Sequence, residues 1–169
     1  MRFLDSGPKH IIKLINSPKQ IVWDYFFMTW LYNDEPFDPE SAPEDCAGFV
    51  YRITNLDTDM KYIGKKIFWS KRKVKVKGKT RRKTVIKESD WRKYYGSSAN
   101  LKEEIQRIGT DNYKREILHM CKTRGEMSYW EAKLQFEYDV LLRDDYYNAL
   151  IMCRINASHL KFNDEEDEE

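Results

Sequence analysis

Residues 48–64, GFVYRITNLDTDMKYIG, decide the fold, because they read as a complete β-hairpin. Phe49, Tyr51 and Ile53 alternate with Val50, Arg52 and Thr54, the period-two pattern of a half-buried strand. Residues 55–59 (NLDTD) supply a polar turn, and Lys61-Tyr62-Ile63-Gly64 returns as the second strand. Taken alone, this is a hairpin with two core tyrosines, since tyrosine is common in strands. The pairing of Val-Tyr on one strand with Tyr-Ile-Gly on the next asks for more.

Downstream of Gly64 the sequence KKIFWSKRKVKVKGKTRRKTVIKESDW alternates valines with lysines. It predicts a basic β-ribbon turning at Gly78, with a flexible basic loop as the alternative. Residues 65–93 carry fourteen Lys or Arg against only Glu88 and Asp90. Lys71, Lys73, Lys75, Lys77, Lys79, Arg81, Arg82, Lys83 and Lys93 are the candidate phosphate contacts. Phe68, Trp69 and Trp91 bracket the run, and cations beside aromatics suit nucleic acid. Residues 101–108 then form a helix on the face of Leu101, Ile105 and Ile108, capped by Asn100 and stopped by Gly109. Tyr113, Arg115 and Ile117 alternate along a strand. A second helix over residues 126–142 aligns Met127, Trp130, Leu134, Tyr138 and Leu141, with Glu131 at the border of that stripe. The order is β-β-insert-α-β-α, an α/β (α+β) sandwich.

Upstream, residues 21–32 (IVWDYFFMTWLY) fit either helix or strand and read as core or as a cover over it. Residues 33–46 carry three prolines and read as a linker. Six acids fall within residues 34–45 and six more within 164–169, so a net charge of +2 hides one very basic block. At 169 residues the chain suits one domain. No apolar run reaches the roughly 20 residues a membrane span needs, and the N-terminal residues do not resemble a signal peptide. Cys46, Cys121 and Cys153 read as free thiols in a reducing compartment, and their spacing excludes a zinc ribbon.

The ordered set FVYRITN, KYIG, W-x-x-Y-x-G-S-S, a helix, a strand, a Glu-bearing helix and a closing Tyr-Asn resembles the GIY-YIG endonuclease superfamily. The basic insert looks most like the stand-alone Seg-type members of tailed phages. The resemblance covers residues 48–150. It implies a metal-assisted DNA endonuclease, homing in some members, on a three-stranded antiparallel sheet flanked by helices. Residues 1–46 become an N-terminal extension, 47–158 the nuclease domain with its insert at about 65–93, and 159–169 an acidic tail. The family's two tyrosines fall on Tyr51 and Tyr62, its catalytic glutamate on Glu131 and its closing asparagine on Asn148. If phage-encoded, the protein acts in the cytoplasm of a bacterial host.

The chemistry follows from the residues. Phosphodiester hydrolysis needs a deprotonated water and compensation of charge on phosphate and leaving group. One carboxylate, Glu131, suits Mg²⁺, which keeps several waters, with Mn²⁺ as a substitute. Tyr51 or Tyr62 could take the water proton, but a phenol titrates near about 10 unless a neighbouring cation or the metal field lowers it. Lys65 and Lys66 are the nearest cations. Two departures from the family stand out. Its helix arginine has no direct counterpart, leaving Arg72, Arg92 or a lysine, and its histidine before the first helix is replaced by Gly96, leaving Tyr94 or Lys93. His119 reads as structural. The competing expectation is a nucleic-acid-binding protein that kept the fold and lost cleavage. A protein partner for the acidic tail has less behind it. Whether the chain works as a monomer or as a DNA-induced dimer is left open.

Overall fold

The computed structural model describes residues 29–38, 40, 45–78 and 80–160. Residues 11–15, residues 21–28, Lys79 and the tail at 164–169, all part of the sequence reading, lie outside the described residues.

In chain order the strands are β1 (Trp30–Tyr32), β2 (Glu35–Pro36), β3 (Gly48–Asn55), β4 (Lys61–Ile67), β5 (Trp69–Val74), β6 (Lys83–Glu88) and β7 (Tyr113–Cys121). The helices are α1 (Ala99–Ile108) and α2 (Arg124–Glu137). One sheet runs β2-β1-β7-β3-β4, antiparallel except where β1 lies parallel to β7. The expected three-stranded antiparallel core is therefore β4, β3 and β7. Two short strands, read in the sequence as extension and linker, add to its far side. The ribbon β5-β6 is a separate two-stranded sheet.

Strand β3 is not half-buried, as its alternation suggests, but covered on both faces. Phe49, Tyr51 and Ile53 enter an aromatic layer with Trp30, Phe37, Phe68, Trp91 and Leu101. Val50, on the other face, packs with Ile63, Cys121, Met127 and Val140. Helix α1 thus covers one face and α2 the other. Arg52 stays partly exposed because Glu116 opposite it accepts from its Nε at 3.0 Å.

Both helices start and stop for local reasons. Ser98, not Asn100, caps α1, its Oγ accepting from the Leu101 amide at 3.5 Å. Gly109, at φ 88°, ends that helix as expected. Thr123 caps α2 by accepting from the Glu126 amide at 3.0 Å, while the Glu126 carboxylate accepts from the Lys122 amide at 2.6 Å. The helix ends at Glu137, short of the expected 142, where Asp139 turns to φ 51°. Leu141 is consequently exposed, and buried Val140 does the packing expected of it.

The bracketing aromatics separate. Phe68 and Trp91 are core residues, unavailable to a nucleic-acid base, whereas Trp69 is 51% exposed. Lys65 and Lys66, counted with the insert in the sequence, belong to β4. Among the described residues no helix is long and apolar enough to cross a membrane. Cys46 and Cys121 are buried and free, Cys153 exposed and free, and burial pushes the Cys121 thiol up to about 12.

Candidate active site

The site is built around the outer edge of β4. Its neighbour β3 occupies one side only, so the other side's backbone groups need partners. Residues 145–148 provide them. The Lys61 amide donates to Asp145 O at 2.8 Å, and the Tyr147 amide donates to Lys61 O at 2.7 Å. Asn148 then meets Ile63 twice, Oδ1 accepting from its amide at 3.0 Å and Nδ2 donating to its carbonyl at 2.8 Å. Gln135 from α2 adds a third bond, Nε2 to Ile63 O at 3.0 Å. Ile63 is thereby fixed, and with it the side chains on either side.

Around that edge lies an open cleft of about 370 Å³, lined by Tyr62, Lys65, Ser97, Asn100, Glu131 and Asn148 among others. Strand alternation sends Tyr62 to the α1 face and Lys65 to the α2 face, so the cleft wraps the strand. The Tyr62 hydroxyl lies 2.7 Å from Ser97 Oγ. Lys65 Nζ lies 2.8 Å from Glu131 Oε2 and donates to Ser128 Oγ at 3.0 Å. The Glu131 side chain is only 15% exposed, consistent with its place at the border of the buried stripe.

Gly64 explains why the tyrosines come so close. A Cβ there would sit 2.6 Å from the Tyr51 hydroxyl and 2.9 Å from the Tyr62 ring, which any side chain forbids. Tyr51 is buried behind Gly64, and its burial, with Tyr94 and Tyr62 beside it, raises its phenol well above the ordinary value. Burial also raises Tyr62, against the opposing hydrogen bond with Ser97. The expectation that neighbouring cations depress these phenols is therefore corrected. Lys65 is engaged by Glu131, and Lys66 by Asp90 at 2.6 Å while it lies 3.6 Å over the Tyr94 ring.

The other candidates fall elsewhere. Tyr94 packs edge-on against Tyr51 behind the cleft. Arg92 pairs with Glu88 at 2.7 Å and lies over the Trp91 ring, while Lys93 is exposed beside it. Arg72 is on the ribbon. None of these four lines the cleft. Lys71, Lys73, Lys75, Lys77, Arg81, Arg82 and Lys83 are exposed along the ribbon and its tip. Sequence reasoning missed Ser97, Ser128 and Gln135. Only Ser97 left a signal, in the Tyr-Gly-Ser-Ser run. It also missed Arg115, a buried arginine between Trp30 and Tyr95 that donates to the carbonyls of Arg92 (2.9 Å) and Tyr94 (3.4 Å).

Among the described residues, two places invite a metal. Glu131 is one hard oxygen donor in an open cleft of about 370 Å³, which fits Mg²⁺, an ion that keeps most of its waters. His119, Cys121 and Glu126 hold donor atoms within 4.8 Å of one another. That softer set does not suit Mg²⁺. Its members already have structural uses: Glu126 closes the α2 cap and pairs with His119 at 3.6 Å, and His119 stacks on Trp130.

A hairpin placing two tyrosines about one glycine, backed by a glutamate from a covering helix, defines a class. Residues 30–151 match the family described as "Putative endonuclease segE, GIY-YIG domain", and the chain belongs to the Seg-type GIY-YIG endonucleases. It is similar to the phage T4 protein named "Putative endonuclease segD", 33% identical over 107 residues. Those residues are 63% of this chain but 39% of the T4 protein, so this chain spans well under half of that relative. No solved structure matches.

Proposed function

We propose that the β4 cleft hydrolyses phosphodiester bonds in DNA with a divalent cation held at Glu131, Mg²⁺ with Mn²⁺ as a substitute. The observation that carries this reading is the Lys65–Glu131 pair, 2.8 Å apart in the cleft that Tyr62 also lines. The cation, when bound, supplies charge compensation at the phosphate and the leaving oxygen. Glu131 anchors it. Lys65 moves from the carboxylate to the phosphate oxygens, since an ammonium and a cation cannot share one carboxylate without repulsion. Tyr62, facing the cleft, is the acceptor for the water proton. Burial raises its phenol in the free protein, so Tyr62 first releases its own proton to solvent once the cation is bound, and takes the water proton as the phenolate. Tyr51, sealed behind Gly64, and Asn148, spent on Ile63, hold the geometry. Lys66 and Tyr94 form the wall behind Tyr51, and the backbone of Arg92 and Tyr94 is held by Arg115.

On this reading residues 47–158 are the nuclease unit, with Trp30–Pro36 extending its sheet, and 159–169 an acidic tail outside it. The ribbon lysines, Arg81, Arg82 and Lys93 contact DNA phosphates, and Arg72 faces DNA from the ribbon rather than from the cleft. A phage protein of this kind acts in the host cytoplasm, and a homing role requires a site-specific cut. One cleft cuts one strand, so a double-strand break takes a dimer on DNA or two events. Incubation of supercoiled plasmid with Mg²⁺ tests the proposal. Nicked circles that disappear with EDTA support it. Salt-sensitive binding without cleavage under any divalent cation supports the second reading, a binding protein that kept the fold.

A further inference from the structure

The ribbon is built unlike a structural hairpin. Its strands pair Lys71 with Ile86, Arg72 with Val85 and Val74 with Lys83. Val74, Val85 and Ile86 are 40%, 42% and 59% exposed, and no third strand joins among the described residues. An isolated two-stranded hairpin is marginal in water, so these apolar groups await a partner. From Trp69 to Lys87 the sequence has ten Lys or Arg and no acid. The two acids of the insert sit at the base, Glu88 paired with Arg92 and Asp90 with Lys66. No side chain within the ribbon offsets its charge, and the complementary partner is a polyanion.

The two faces differ. Trp69, Lys71 and Ile86 line a cleft of about 740 Å³ shared with Asp45–Ala47 and Lys122–Arg124 of the body. By strand alternation the opposite face, with Arg72, Val74, Lys83, Val85 and Lys87, looks outward. That face combines a guanidinium with β-branched methyl groups flanked by ammonium groups. Six residues per strand span about 20 Å, and a two-stranded ribbon fits the major groove of B-form DNA, about 12 Å wide. A guanidinium there matches O6 and N7 of guanine, and valine methyls match the thymine methyl.

We propose that the β5-β6 ribbon enters the DNA major groove by its outward face and that Arg72 reads a guanine there, making the ribbon the sequence-selecting element of the protein. This rests on the reading of the chain as a DNA nuclease. It separates recognition on β5-β6 from chemistry at β4.

The test is selection from a pool of 30-base-pair duplexes with a randomised centre, using the full chain in EDTA so that binding is read without cleavage. The proposal expects an enriched motif containing a guanine. Arg72→Ala should lose about 5- to 150-fold of the preference at that position and keep its binding to unselected DNA within a few-fold. A 7-methylguanine at the same position should block wild-type binding, and netropsin, a minor-groove ligand, should not compete. Absence of any motif, a motif unchanged in folded Arg72→Ala, or displacement by netropsin with tolerance of 7-methylguanine overturns the proposal. Plasmid nicking with Mg²⁺ is read separately. Nicking without a motif removes the ribbon inference alone, whereas a motif without nicking removes the nuclease reading alone.

Discussion

Strand β4 and the ribbon that follows it are both rich in cations, and they treat them in opposite ways. In the body, Lys61 is held by Asp59 and Asp145, Lys65 by Glu131 and Lys66 by Asp90, each within 3.3 Å. On the ribbon, no ion pair engages a cation from Lys71 to Lys87 among the described residues. A cation already paired inside the protein sets geometry until something displaces it from its partner, as proposed for Lys65, whereas one left in water is available to a ligand at once. Strand β4 is therefore fixed by its own contacts, and on the proposed reading the ribbon is completed by the DNA it binds.

That contrast can be challenged at several points. The largest effect is expected at Glu131. Glu131→Gln keeps the shape of the side chain and removes the charge proposed to anchor the cation, so nicking should fall at least about 100-fold, the scale of losing one charge-stabilising group. Thermal melting should stay near wild type. Asn148→Ala removes both bonds to the backbone of Ile63 and leaves buried groups unsatisfied, at a cost of about 1–3 kcal/mol. Urea denaturation should show that loss, and activity should fall with it, because Tyr62 and Gly64 flank Ile63.

The ribbon should respond in reverse. Lys75→Ala with Lys77→Ala should leave the melting temperature unchanged. It should lower the slope of log affinity against log salt by about 1.8, at about 0.9 for each phosphate no longer neutralised. A melting shift of several degrees would instead make these lysines structural, erasing the distinction between the regions.

A smaller effect concerns acid. Burial alone would raise the Glu116 carboxyl, but hydrogen bonds from Arg52 and Lys114 outweigh it and hold the group below its usual range. A depressed carboxyl adds stability above its unfolded value of about 4.3 and loses it as pH falls through the folded value. Stability measured from pH 6 downward should therefore fall less steeply in Glu116→Gln than in wild type.

Sequence logic reached some of this and not the rest, for physical reasons. The hairpin, Gly109, the border position of Glu131 and the ribbon with Gly78 at its tip all follow from periodicity and turn chemistry, which are local. The layers above β3 are not local. Alternation marks Phe49, Tyr51 and Ile53 as one face but cannot tell that Val50 is buried by α2 as well. Arg115 alternates correctly yet looks like a surface residue, because only tertiary structure supplies Trp30, Tyr95 and two backbone carbonyls around it. Phe68 and Trp69 are adjacent and equally aromatic, and only the fold sends one inward and the other out. Lysine density near Tyr62 suggests a depressed phenol. The structure pairs those lysines with acids, and burial moves the phenol the other way.

The decisive experiment is a single-turnover nicking time course on supercoiled DNA with Mg²⁺, comparing wild type with Glu131→Gln at matched DNA occupancy. Chemistry anchored at Glu131 predicts conversion to nicked circles by wild type, at least about 100-fold slower conversion by the variant, and equal binding by both. Equal nicking rates for the two proteins would contradict it and place the chemistry outside the β4 cleft.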